Sequence, residues 1–253
     1  MLQKNEIARR LFEYLSKRVT GKKVEEIRIG LGYVAVALDK KCTGLAAVLR
    51  QDLEFHCGLL SRAGTLPGTP ALEMLNYLVN GRNPLERALG LATANAILSA
   101  EAPHEESDTI ALMNLSSDDH VVMIGLFRPL VARIEQTGAR LMVLEKNKSK
   151  TIPNILSFRR RRGILSSCSV AIITATSILN STLEKILNEL GNPRWVSILG
   201  PSTPLCRNIF AGTPVTHLGG SVVLDRQKVL QIISEGGGTP AMRPYLRFVN
   251  LLL

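Results

Sequence analysis

The sequence predicts an α/β protein in two parts. An N-terminal α+β half precedes a three-layer half with a mostly parallel sheet covered by helices on both faces. Three observations carry this. The first hundred residues read as one helix, three closely spaced strands and two helices. From about Asp119 on, short continuous apolar runs alternate with helical stretches, the pattern of parallel strands buried on both faces. Between them, Glu101 to Asp108 is acidic, contains Pro103 and breaks the apolar pattern. The boundary is placed there, dividing the chain into residues 1–108 and 109–253.

The elements follow in order. Ile7, Ala8, Leu11, Phe12, Leu15 and Val19 share one face of a helix that Gly21 stops. Val24 to Ile29, Tyr33 to Leu38 and Gly44 to Leu49 are strands with only turns between them, which is an antiparallel meander. A loop from His56 to Pro70 leads to two helices. Thr69-Pro70 and Asn83-Pro84 read as a cap followed by a first-turn proline. In the second half, strands are predicted at Val121 to Ile124, Arg140 to Leu144, Val170 to Thr174, Trp195 to Leu199 and Val215 to Leu218. Helices are predicted at Arg128 to Gln136, near Ile164, at Ser181 to Leu190, after Pro204 and at Asp225 to Ser234.

Composition narrows the function classes. The chain has 253 residues, 45% hydrophobic and 21% charged, enough for substantial cores. Aromatics are 4%, too few for a stacking surface on single-stranded nucleic acid. The net charge of +10 has two concentrations, Lys17 to Lys23 and the Arg159 to Arg162 run. Neither sits in a nucleic-acid motif, so nucleic acid is disfavoured as a partner and a solvated basic surface is the favoured reading, with an anionic small molecule left open. No basic segment followed by an apolar core opens the chain, and no apolar run approaches a membrane span. A cytoplasmic location and no membrane partner are expected, with homo-oligomerisation left open. Cys42, Cys57, Cys168 and Cys206 are scattered without zinc-ligand spacing and read as small buried hydrophobes.

In an open parallel sheet, ligands bind beyond the carboxyl ends of the strands. The residues there are Gly125 and Phe127, Glu145, Thr174 leading to Asn180 and Thr182, Gly200-Pro201-Ser202-Thr203, and Gly219-Gly220. The first loop lacks the Gly-x-Gly-x-x-Gly that admits a pyrophosphate, which removes NAD. Glu145 follows Gly125 by 20 residues, where a ribose-binding acid sits, and the pair suits a nucleoside or heterocycle without pyrophosphate. A Glu that merely ends a strand is the other reading. Ser181-Thr-Leu-Glu184 fits a capping box, and Thr203-Pro204 fits a cap with a first-turn proline. Gly200 and Ser202 then offer N–H and hydroxyl groups to an anion at the helix start. No nucleophile–base pair is visible, so no catalytic residue is assigned. The four histidines are isolated, and His56-Cys57 is the one adjacent pair of soft ligands.

Ala171-Ile-Ile-Thr-Ala-Thr-Ser-Ile-Leu-Asn-Ser-Thr-Leu-Glu184, Ile198-Leu-Gly-Pro-Ser-Thr-Pro-Leu205, Gly219-Gly220 and Ser234-Glu-Gly-Gly-Gly238 resemble the "putative heavy-metal chelation" domain family. Gly30-Leu-Gly-Tyr-Val-Ala-Val36 and Gly90-Leu-Ala-Thr-Ala-Asn-Ala96 resemble the domain of unknown function that usually precedes it. The resemblance implies an enolase N-terminal-like domain followed by a Rossmann-like domain, sharing one site. It implies Asn180, Thr182, Gly200, Ser202 and Thr203 as site residues, with Gly30, Tyr33 and Asn95 from the first half. The chain departs from the family at Ala175 and Ser181, where Gly is usual, and at Val34, where Thr is usual.

The leading expectation is a small-molecule-binding protein with its site between the halves. It would be an enzyme of condensation or hydrolysis on a pterin-, flavin- or siderophore-like molecule linked to heavy-metal chelation. One alternative is a non-catalytic binding protein for a metal–chelator complex or metabolite. Another is an S-adenosylmethionine-dependent methyltransferase, with that cofactor over Gly125. No cofactor is assigned and no metal-ligating set is read in the protein itself.

Overall fold

The helical face read from the sequence is buried as α1 (Glu6–Ser16), with Ile7, Ala8, Leu11 and Leu15 inside. The structure, a computed structural model, describes residues 1–39, 41–53, 58–101, 107–145, 155–158 and 161–253. The meander is present: β1 (Glu26–Ile29), β2 (Tyr33–Ala37) and β3 (Thr43–Ala47) form an antiparallel sheet in that order. Then come α2 (Ala71–Asn80) and α3 (Pro84–Leu98). Asn83 caps α3 as expected, its side chain accepting the Glu86 N–H at 2.9 Å.

At α2 the expected cap is displaced. Thr69 is engaged in an extended pairing: its carbonyl accepts the Val24 N–H at 2.9 Å, and Ala71 N–H donates to Lys22 at 2.9 Å. The helix therefore starts one residue later, on Pro70 as N-cap.

In the second half, α4 (Thr109–Met113) is capped by Asp108, whose carboxylate accepts the Ile110 N–H at 2.8 Å. The predicted strands form one sheet: β4 (His120–Ile124), β5 (Arg140–Glu145), β7 (Val170–Thr174), β8 (Trp195–Leu199) and β9 (His217–Val223). Two strands were not anticipated, β6 (Ile155–Ser157) and β10 (Leu246–Leu252). Among the described residues the order is β10-β9-β8-β7-β4-β5-β6, with all neighbours parallel except β10 on β9. Alternate residues bury opposite faces, as strand geometry requires. Val121 and Met123 pack with Ile110, Met113 and Ile134, which belong to α4 and α5 (Arg128–Glu135). Val122 and Ile124 pack with Leu165 of α6 (Arg161–Ser167) and with Leu183, Ile186 and Leu187 of α8 (Leu183–Glu189).

That second core does not stop at the halfway point. The same cluster continues through Ile7, Leu11, Met74, Leu89 and Val36 of the first half. The opposite face of the small sheet, Ala35 and Leu45, is covered by Val229, Leu230 and Ile233 of α9 (Arg226–Ser234). The N-terminal meander is thus held between its own helices and a helix from the other end of the chain. Arg226 fastens this contact. It is largely buried, pairs with Glu25 at 2.9 Å and Glu26 at 2.8 Å, and donates to the Asp39 carbonyl at 3.4 Å. Arg226→Ala is expected to lower stability by about 2 kcal/mol, because two carboxylates and a carbonyl lose a buried donor. Urea unfolding measures it; a loss below 0.5 kcal/mol, the size of an ordinary surface change, would show that the clamp contributes little.

Candidate functional site

Where the chain leaves the carboxyl ends of β4, β5 and β7, a cavity of about 330 Å³ opens under the first half. This is at the small end of the roughly 300–1,000 Å³ range of ligand sites, so it suits a compact ring-sized molecule. After β4, the chain turns at Gly125, whose φ of +84° favours glycine. A Cβ there would also come within 2.8 Å of the Thr174 side chain. At the end of β5, Glu145 accepts the Leu126 N–H through Oε2 at 3.0 Å, which ties its carboxylate to that turn. From the end of β7, Thr174 and Thr176 share a 3.0 Å hydroxyl contact, and Ser177 donates to the Thr174 carbonyl at 2.7 Å. α7 (Thr176–Leu179) then delivers Asn180 and Thr182, joined by a 2.5 Å bond from the Thr182 hydroxyl to Asn180 Oδ1.

Gly125, Glu145, Thr174, Asn180 and Thr182 therefore line one cavity, as the strand-end reading expected. The first half supplies the facing wall, Val48 to Asp52, which the sequence reading missed. The signal was present: Arg50-Gln51-Asp52 is a polar run leaving an apolar strand. Phe158 also lines the cavity and was not anticipated. The Arg161 guanidinium lies over its ring at 4.6 Å and pairs with Glu189 at 2.8 Å, which holds the ring in place. Arg159, Arg160 and the side chain of Arg162 fall outside the described residues.

The other candidate residues lie elsewhere. Ser202 is 2% exposed; its Oγ accepts the Ala47 N–H at 2.8 Å, and its carbonyl accepts from Asn95 Nδ2 at 3.1 Å. Asn95 also donates to the Leu45 carbonyl at 2.8 Å. This seam fixes the end of β3, one residue before Val48. Gly200 and Gly219 are joined by a 3.0 Å backbone bond, Thr203 is buried behind them, and Pro201 is half-buried in the same turn. Phe127 lies 3.8 Å from the Cβ position of Gly200, and Gly220 faces Leu205. Gly30 packs on Ile233 of α9. Tyr33 bonds to Thr239 of α10 (Thr239–Met242) at 2.7 Å, and burial pushes its phenol up.

Two expected caps are absent. Ser181 has a left-handed φ of +57°, Thr182 is the N-cap of α8, and Glu184 Oε1 accepts the Ile7 N–H at 3.0 Å. The docking of α1 takes the carboxylate that a capping box would use. After Pro204 there is only a short 3-10 turn at Arg207–Phe210, so Gly200 and Ser202 face no helix start.

Because Ser202 holds the strand that carries the cavity wall, Ser202→Ala is expected to cost about 2 kcal/mol by orphaning the Ala47 N–H. Urea unfolding and ligand titration should both register the change. An unchanged unfolding midpoint would remove the clamp.

Two family models match the chain. One, described as "Putative heavy-metal chelation", matches residues 108–252; a second with the same description matches residues 12–98. The chain belongs to this heavy-metal chelation family. It is 24% identical over 233 residues to an uncharacterized protein of Methanocaldococcus jannaschii, covering 89% of this chain and 88% of that one. Two crystal structures of family proteins of unknown function share the fold. The one from Pyrococcus horikoshii has a TM-score of 0.83 at 22% identity, covering 98% of this chain and 100% of that one. The one from Desulfitobacterium hafniense has a TM-score of 0.81 at 19% identity, covering 97% and 98%. No helix among the described residues is long and apolar enough to cross a membrane.

The family description raises the question of how a metal would be held, and the donor set of the cavity bears on it. The described lining offers hydroxyls, amides and the carboxylates of Asp52 and Glu145, with no Cys, His or Met. These are hard oxygen donors, whereas soft heavy metals prefer thiolate and imidazole. Cys42, Cys168 and Cys206 are buried and free elsewhere, and burial pushes the Cys168 thiol up to about 11, away from the thiolate a metal needs. The described residues thus do not fit a directly held soft metal; His56 and Cys57 lie outside them.

Proposed function

We propose that the protein binds a small organic molecule, a heterocycle or chelator of pterin, flavin or siderophore type, in the cavity between the halves. Any heavy metal is then carried by the ligand. The observation that supports this is the joining of strand-end groups Gly125, Glu145, Thr174, Asn180 and Thr182 with the Val48 to Asp52 wall around one compact space. A thermal-shift screen with pterins, flavin precursors, catechols and S-adenosylmethionine tests it. A binder held at 100 times its Kd should stabilise the protein by about 2.7 kcal/mol. Asn180→Ala should weaken it at least about tenfold, equivalent to 1.4 kcal/mol. The reading fails if no compound gives a saturable shift, or if Asn180→Ala and Glu145→Gln leave every affinity unchanged.

A second reading, condensation or hydrolysis of such a molecule, is favoured by one feature. Asp52 and Glu145, carboxylate residues from different halves, line the same cavity, and carboxylates are a residue type that general acid–base chemistry uses. Glu145→Gln should then reduce turnover of a bound substrate about a hundredfold while binding persists. Binding without turnover by any ligand from the screen would leave a non-catalytic carrier.

A further inference from the structure

The hydrogen-bonding groups in the cavity differ in what they have left to offer. Glu145 is already engaged by Leu126, and Asp52 also has a partner. The donors are less committed. Arg50 is the sole cation among the described lining residues; it is exposed, and no carboxylate among the described residues pairs with it. Asn180 uses its Oδ1 on Thr182, while its amide N–H groups have no acceptor among the described residues. Thr174 and Thr176 share one hydroxyl contact between them, which leaves a further hydroxyl hydrogen to donate. The donors are led by a guanidinium, whose planar fork matches two oxygens of one group.

We propose that the ligand carries an anionic oxygen group, carboxylate or phosphate, held by Arg50 from the first half together with Asn180 from the second. This deepens the ligand-binding reading and rests on it. An anion bridging the two residues fastens the Val48 to Asp52 wall against the strand ends. Arg50 is then the residue that separates charged from neutral analogues.

Calorimetric titration with two matched pairs tests this. Adenosine against adenosine 5′-monophosphate isolates a phosphate; catechol against 2,3-dihydroxybenzoate isolates a carboxylate. A charge-assisted hydrogen bond contributes about 1.5–3 kcal/mol. The anionic member of one pair should therefore bind about ten to a hundred times more tightly than its neutral partner. In Arg50→Gln that ratio should fall at least about fivefold, the anionic member losing far more affinity than the neutral one. Preference within the first pair marks a phosphate, and within the second a carboxylate. A ratio near one in the native protein, an equal loss for both members in Arg50→Gln, or no saturable binding by any of the four overturns the assignment. Neutral compounds that bind and are weakened by Asn180→Ala would leave the cavity reading standing without the anion. Failure here and throughout the wider screen would remove both.

Discussion

Acidification from pH 7 to pH 4 is expected to remove about 3 kcal/mol of stability through one side chain, His217. This histidine sits on β9, fully buried, in a chain of polar groups that crosses the sheet. Trp195 Nε1–H donates to Ser197 Oγ at 2.6 Å, and Ser197 Oγ meets His217 Nδ1 at 2.9 Å. His217 Nε2 meets Asn250 Oδ1 at 2.9 Å, and Asn250 donates to the Ser107 carbonyl at 2.5 Å. The pattern closes if the neutral ring carries its proton on Nε2, donating to Asn250 and accepting at Nδ1 from Ser197. Burial lowers the His217 pKa to about 4, opposed by the Asn250 hydrogen bond. The sign follows from this depression. Above about pH 6.5 the ring is neutral in both folded and unfolded chains, so it contributes no pH dependence. Between 6.5 and 4 the unfolded chain takes a proton that the folded one refuses, and stability falls by about 1.4 kcal/mol per pH unit. Below about 4 both forms are charged and this contribution levels off. Urea unfolding at pH 7, 6, 5 and 4, compared with His217→Gln, isolates it. The difference between the two proteins should shrink on acidification. Parallel pH profiles would mean that the folded protein accepts the proton.

Gly30→Ala is expected to cost about 3 kcal/mol and yet leave the intrinsic ligand affinity of the folded protein unchanged. A Cβ at Gly30 would lie 2.1 Å from the Ile233 carbonyl oxygen and 3.1 Å from Ile233 Cγ2. The first of these is backbone, in a helix that Arg226 also ties to β1, so α9 has to move as a body. Moving it opens the Ala35, Leu45, Val229 and Ile233 core. Family resemblance implies Gly30 as a ligand-binding residue; the structure packs it on Ile233 of α9. Urea unfolding combined with titration under folded conditions separates the two roles. Lost affinity at unchanged stability would return Gly30 to the site.

Elements whose cause is local were legible in the sequence. The face of Ile7, Leu11 and Leu15 and the apolar runs at Val121 to Ile124 and Val170 to Thr174 follow from periodicity within a few residues. The strand-end half of the cavity was legible for the same reason: small and polar residues follow each parallel strand. Tertiary structure decided what depended on distant partners. Ser181 and Glu184 have the letters of a capping box, but α1 recruits Glu184 across 177 positions of chain. Ser202 has the look of an anion-binding turn, but the Ala47 N–H, 155 positions away, takes its hydroxyl. The return of α9 onto the meander and the Arg50 side of the cavity also lay beyond local pattern. A short polar residue satisfies whichever buried backbone group the fold brings to it. Its spacing in sequence records what it can bond, and only the packed chain decides what it does bond.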